Sequence, residues 1–116
     1  WDSANNQSDK EVILFTQIND NLKVNNVYNF PNPFSSSTDF TFEINNIASV
    51  KIDIFTLGGR KIKTISLPNT SSGYHNISWD GFDQFGGNIA KGVYIYRIKA
   101  TNQNSSSSHI GRCAKY

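Results

Sequence analysis

Between residues 39 and 100 the chain alternates apolar and polar residues in three runs. Phe40, Phe42 and Ile44 interleave with Thr41 and Glu43; Val50, Ile52 and Ile54 with Lys51 and Asp53; Tyr94, Tyr96, Ile98 and Ala100 with Ile95, Arg97 and Lys99. Successive side chains of a strand point to opposite faces, so each run turns one set toward a core and the other toward water. Weaker runs fill in the rest. Residues 11–17, EVILFTQ, read as a strand covered on both sides or docked at a junction. Residues 22–29 form an extended segment carrying Val24, Val27 and Tyr28, and residues 61–67 form a strand with Ile62 and Ile65 inward. In residues 74–79, Tyr74 and Ile77 fall out of strict alternation, which predicts a bulge between them. Residues 109–116, HIGRCAKY, read as the closing strand.

Turn signals separate these runs. They are Asn19-Asp20-Asn21, a tight hairpin at Leu57-Gly58-Gly59-Arg60, a turn over residues 68–73, a glycine-rich loop after Trp79 and a polar loop over residues 102–108. No helical period occurs. Short strands at this spacing predict an all-β, immunoglobulin-like antiparallel β-sandwich of about seven strands. Residues 1–10 read as a linker or the end of a preceding domain, and residues 11–116 as the sandwich.

Two places carry more specific geometry. In Phe30-Pro31-Asn32-Pro33-Phe34 the prolines push the residues before them into extended geometry and forbid a helix. The segment reads as a lock that feeds chain from one sheet to the other; a proline-rich ligand is the alternative, but the longer PxxP run of that mode is missing. Gly92-Val93-Tyr94 has the spacing of a tyrosine corner, which makes Tyr94 a fold residue whose hydroxyl bonds backbone upstream.

Composition narrows the function. A chain of 116 residues fits one domain with one core, and 13% aromatic content argues against disorder. The net charge of +2 and the lack of any Lys/Arg cluster along the sequence argue against nucleic acid. The single Cys113 excludes an internal disulfide and reads as a small buried hydrophobe. No apolar run is long enough to span a bilayer, and no signal peptide opens the chain. There is no methionine, so the expectation is a piece of a longer protein whose targeting signal lies elsewhere.

No nucleophile, base and orienting group stand out together, so no catalytic residue, metal ligand or cofactor is assigned. His75 and His109 read as exposed strand residues. Asp80, Asp83 and Asn88 share one loop, but their spacing is not that of an EF-hand, and Asp80 reads as bonding the backbone of its own turn. Three Asn-x-Ser/Thr sequons, at Asn69, Asn76 and Asn104, are expected by chance in so Asn/Ser-rich a chain. Trp79, Phe82 and Phe85 are candidate platforms for a surface carbohydrate, with core or loop packing as the other reading.

Several landmarks occur in a recognisable order. They are Pro31-Asn32-Pro33-Phe34, Thr38 before an alternating strand, Val50-x-Ile52-x-Ile54-Phe55, Gly59-Arg60-Lys61-Ile62, Trp79-Asp80-Gly81-x-Asp83-x-x-Gly86, and Gly92-Val93-Tyr94-x-Tyr96. The order resembles the immunoglobulin-like C-terminal domains of proteins exported by the type IX secretion system. The flagellar hook-capping protein has a similar domain. Residues 25–34, the WDGFDQFGG loop and the KGVYIYRIKA strand look most like the tail of that system's gingipain-like cysteine peptidase, its sortase, where the domain is kept rather than cut.

The resemblance implies a non-enzymatic sorting or anchoring domain at the outer membrane or cell surface of a Gram-negative bacterium, with peptidase chemistry in an upstream domain. Its implied partners are the outer-membrane translocon or surface attachment-complex proteins and the preceding domain of the same chain. Recognition would fall to the closing strand at Ile110, Gly111, Arg112, Lys115 and Tyr116, which has Arg112 and Lys115 but only a weak form of the apolar-basic ending of cleaved signals. An accessory module that binds carbohydrate or protein is the alternative.

Overall fold

The computed structural model describes residues 21–116. The expected strand over residues 11–17 and the linker over residues 1–10 lie outside the described residues. Within them run seven strands: β1 (Val24–Phe30), β2 (Thr38–Ile44), β3 (Ala48–Thr56), β4 (Lys61–Thr70), β5 (Gly73–Trp79), β6 (Gly92–Thr101) and β7 (Ser106–Lys115). They form two antiparallel sheets, one ordered β1-β2-β5 and the other β4-β3-β6-β7. This is the expected all-β sandwich of seven strands.

The period-two runs do what their spacing requires. Phe40, Phe42 and Ile44 of β2 turn toward Val50, Ile52 and Ile54 of β3 and toward Tyr96, Ile98 and Ala100 of β6, and all are buried. Phe34 and Trp79 close one end of this core, their rings 5.5 Å apart, while Phe40 packs on Tyr96 at 4.9 Å. Fully burying an aliphatic side chain contributes about 1.5–3 kcal/mol, so the core can hold the sheets together without a staple.

Several local expectations need correction. No bulge interrupts β5: its register against β2 is continuous, Tyr74 faces solvent, and His75 and Ile77 are the half-buried inward residues. β4 does not stop at Leu67 but continues through Pro68 to Thr70. Proline lacks a ladder donor, yet β4 is an edge strand, where that loss is tolerated. The final loop is shorter than expected, because β7 begins at Ser106 rather than His109 and pairs with β6 from Thr101 onward. Finally, Phe30-Pro31-Asn32-Pro33-Phe34 does not carry the chain from one sheet to the other, since β1 and β2 are neighbours in the same sheet. It makes an excursion to the edge of the second sheet and returns.

Candidate functional site: the closing strand and its clasp

Among the described residues β7 is the edge strand of the four-stranded sheet, so one row of its backbone groups has no strand partner there. Such an edge is open to a strand from another chain. Here half of it is already taken. Both X-Pro bonds of the Phe30–Phe34 segment are cis, and Asn32 and Phe34 lie along β7. The Asn32 carboxamide acts as a peptide group would: its Nδ2 donates to the Arg112 carbonyl at 2.9 Å, and its Oδ1 accepts from the Ala114 N–H at 3.0 Å. Phe34 continues the ladder, its N–H donating to the Ala114 carbonyl at 2.8 Å while its carbonyl accepts from the Tyr116 N–H at 3.0 Å.

Thr38 locks the base of this clasp. Its hydroxyl donates to the Pro31 carbonyl at 2.8 Å and accepts from Asn29 Nδ2 at 2.8 Å. A second pair of contacts holds the other end of β7, where the Leu22 and Val24 N–H groups donate to the hydroxyls of Ser105 and Ser107, each at 3.1 Å. Among the described residues, the stretch of edge between the two sets of contacts lies around Ser108 and Ile110.

The five residues expected to make up a recognition surface divide accordingly. Ile110, Arg112 and Tyr116 present their side chains to solvent. Lys115 does not, because its ammonium donates to Asn88 Oδ1 and to the Ile89 carbonyl, tying the closing strand to the glycine-rich loop. Gly111 serves packing: a Cβ there would stand 2.5 Å from Cζ and Oη of the buried Tyr96 ring. Cys113, between them, is buried, and burial pushes its thiol up to about 11.

The WDGFDQFGG loop is built by its own side chains. Trp79 Nε1 donates to the Phe82 carbonyl, Asp80 Oδ1 accepts from the Phe82 N–H, and Asp83 Oδ1 accepts from the N–H groups of Phe85 and Gly87. Gly81 has φ +77°, and a Cβ on it would meet the Ser36 carbonyl at 3.0 Å, so the loop can pass the clasp only with glycine there. Gly86 and Gly92 also have positive φ, at +82° and +148°.

Tyr94 donates its hydroxyl to the Ala90 carbonyl at 2.6 Å, four residues upstream, the contact of a tyrosine corner. Trp79 is a core residue with 1% exposure, which removes it as a sugar platform; of that trio only Phe82 and Phe85 reach solvent.

His75 stacks against Phe42 in one sheet and its Nε2 lies 2.7 Å from the Ser71 carbonyl oxygen, while His109 lies on β7 in the other sheet. Among the described residues no three His, Cys, Asp or Glu side chains group to hold a metal. No helix among them is long and apolar enough to cross a membrane.

The other ordered polar cluster lies on the outer face of the four-stranded sheet. Asp53, buried on β3, accepts from the Thr64 hydroxyl at 2.8 Å and from Arg97 Nη2 at 3.0 Å, with Lys61 Nζ at 3.8 Å. Burial alone would raise its pKa, but these partners outweigh that effect and hold the carboxyl below its ordinary value. The Arg97 guanidinium lies 5.4 Å over the Phe55 ring.

Comparison with known proteins gives this fold a family. Residues 29–104 match the FlgD Ig-like domain. No curated protein matches the sequence. Among solved structures, dimeric latent PorU from Porphyromonas gingivalis is similar at TM-score 0.72 and 20% identity, over 89% of this chain and 10% of that one. Truncated FlgD from Helicobacter pylori is similar at TM-score 0.56 and 23% identity, over 75% of this chain and 66% of that one. PorZ of P. gingivalis, an essential bacterial surface component of the type-IX secretion system, is similar at TM-score 0.52 and 21% identity, over 78% of this chain and 11% of that one. The chain thus spans about a tenth of the PorU structure's length. At these identities the shared property is the fold, which is an immunoglobulin-like one and not a catalytic one. With about two thirds of its length, from the clasp through β6, matching the family, the chain belongs to the FlgD Ig-like domain family.

Proposed function

We propose that this chain is a non-enzymatic sorting and anchoring domain of an exported protein, of the kind used in type IX secretion. The observation that carries the reading is the recurrence of its fold as a tenth or so of two much longer proteins, PorU and the type-IX surface component PorZ, the first matched over 89% of this chain. Residues 11–116 would be the domain and residues 1–10 its link to a preceding one. The preceding domain would be a gingipain-like cysteine peptidase, and this chain its retained tail at the outer membrane or cell surface. No cofactor is needed for that role.

The partner would be an outer-membrane translocon or surface attachment-complex protein, met through Ile110, Arg112 and Tyr116, the exposed ones among the five residues expected to make up the surface. Lys115 and Gly111 would act indirectly, by holding that strand in place. The test is export of a reporter fused ahead of the 116-residue chain in a host with a type IX system. Surface delivery that stops when the chain is removed supports the proposal. Delivery that does not depend on the chain, or a folded fusion left in the periplasm, rejects it.

A further inference from the structure

Folding creates a charge asymmetry that is invisible along the sequence. The outer face of the four-stranded sheet gathers Lys51, Lys61, Arg97, Lys99 and Arg112 around a single carboxylate, Asp53, which Arg97 and Lys61 already bridge. Lys51 and Lys99 stand directly opposite each other on β3 and β6, and both are exposed. Like charges in that position oppose the pairing of their own strands. The outer face of the three-stranded sheet leans the other way, with Asp39 and Glu43 on β2, no lysine or arginine on β5, and Lys23 just ahead of β1. A net charge of +2 thus conceals two faces of opposite sign.

We propose that the outer face of the four-stranded sheet docks on an anionic lipid surface, with Lys51 and Lys99 at its centre. The positive charge is spread over all four strands, about 14 Å between the outer two, which suits an extended anionic surface better than one small ion. Exposed Val93 and Ile110 lie beside the charges, and the boundary between headgroups and acyl chains accommodates both kinds of group. At the centre of the face, around Lys51 and Lys99, a protein partner fits less well, because lysine is depleted at the centres of protein interfaces. A nucleic acid fits less well too: the aromatic ring near the centre of this face, Phe55, is half-buried with the Arg97 guanidinium over it, and so offers no free platform for a base.

The experiment is co-sedimentation of the 116-residue chain with phosphatidylglycerol-containing vesicles and with pure phosphatidylcholine vesicles, at low and high salt. Binding should require the anionic lipid and fall as salt screens the charges. K51A/K99A should weaken partition on the order of twenty- to thirtyfold. Its thermal melt should stay cooperative at a midpoint no lower than the parent's, since the double change relieves a repulsion. Absence of binding at low salt, equal binding to both kinds of vesicle, or parental binding by a folded K51A/K99A overturns the proposal, as does binding of single-stranded DNA in preference to vesicles. K51A/K99A leaves Ile110 and Arg112 of β7 unchanged, so export of a reporter fused to this variant separates lipid docking from the proposed recognition through the closing strand.

Discussion

Removing the Tyr94 hydroxyl is expected to cost about 1 kcal/mol, the scale of one hydrogen bond, because Tyr94→Phe strands the Ala90 carbonyl without changing the packing of the ring. The shift in denaturation midpoint measures it. Gly111→Ala is the more disruptive change. Its methyl would enter the space of the Tyr96 ring, which is buried and cannot swing away, so a loss of roughly 1–3 kcal/mol is expected in the same denaturation experiment. The two residues differ in how visible they are in sequence. Tyr94 reaches four residues back along its own chain, and local spacing reports that. Gly111 meets Tyr96 across a ladder, so nothing in GRC or in GVYIY shows the contact until β6 and β7 are paired. Trp79 was ambiguous for a related reason: it is the last residue of β5, and only the sheet register decides that it faces Phe34 and Phe40.

At the scale of elements the clasp is the central device. Asn32→Ala should leave the sandwich folded while exposing the Ala114 N–H and the Arg112 carbonyl, and hydrogen exchange at Ala114 should quicken far more than at the core amides of β3. Unchanged exchange at Ala114 would mean that Asn32 does not hold the edge. The prolines announced a rigid segment, but not its destination. An asparagine side chain that imitates a peptide group has no sequence signature, so the covering of the β7 edge was not legible.

The ion cluster across β3, β4 and β6 gives a pH test at the same scale. Asp53 has a folded pKa below the ordinary carboxylate value, so its stabilisation is present above the unfolded pKa of about 3.9 and is lost as pH falls through the folded one. Stability should therefore decline below about pH 4, and Asp53→Asn should flatten part of that decline. An identical pH profile in the variant would show that the cluster does not contribute.

For the whole molecule, the alternating runs were enough to place the core and the class of fold, because a period of two admits only one sense for each half-buried strand. Three of the seven strands, β2, β3 and β6, come directly from them. The face charges were not visible, since lysines and arginines that are far apart in sequence meet only after β3, β4, β6 and β7 are ordered side by side. The proposed function belongs to this scale as well, because Ile110 and Arg112 stand together on one face only once β7 is laddered on β6.

The most direct test changes that surface without touching its supports. Ile110→Ser with Arg112→Glu alters two exposed side chains, and surface changes usually lie within about 0.5 kcal/mol, so the variant should melt close to the parent. Placed behind a reporter in a type IX host, the parent chain should reach the cell surface while the folded double variant accumulates in the periplasm. A folded double variant delivered to the surface as efficiently as the parent would contradict recognition through the closing strand.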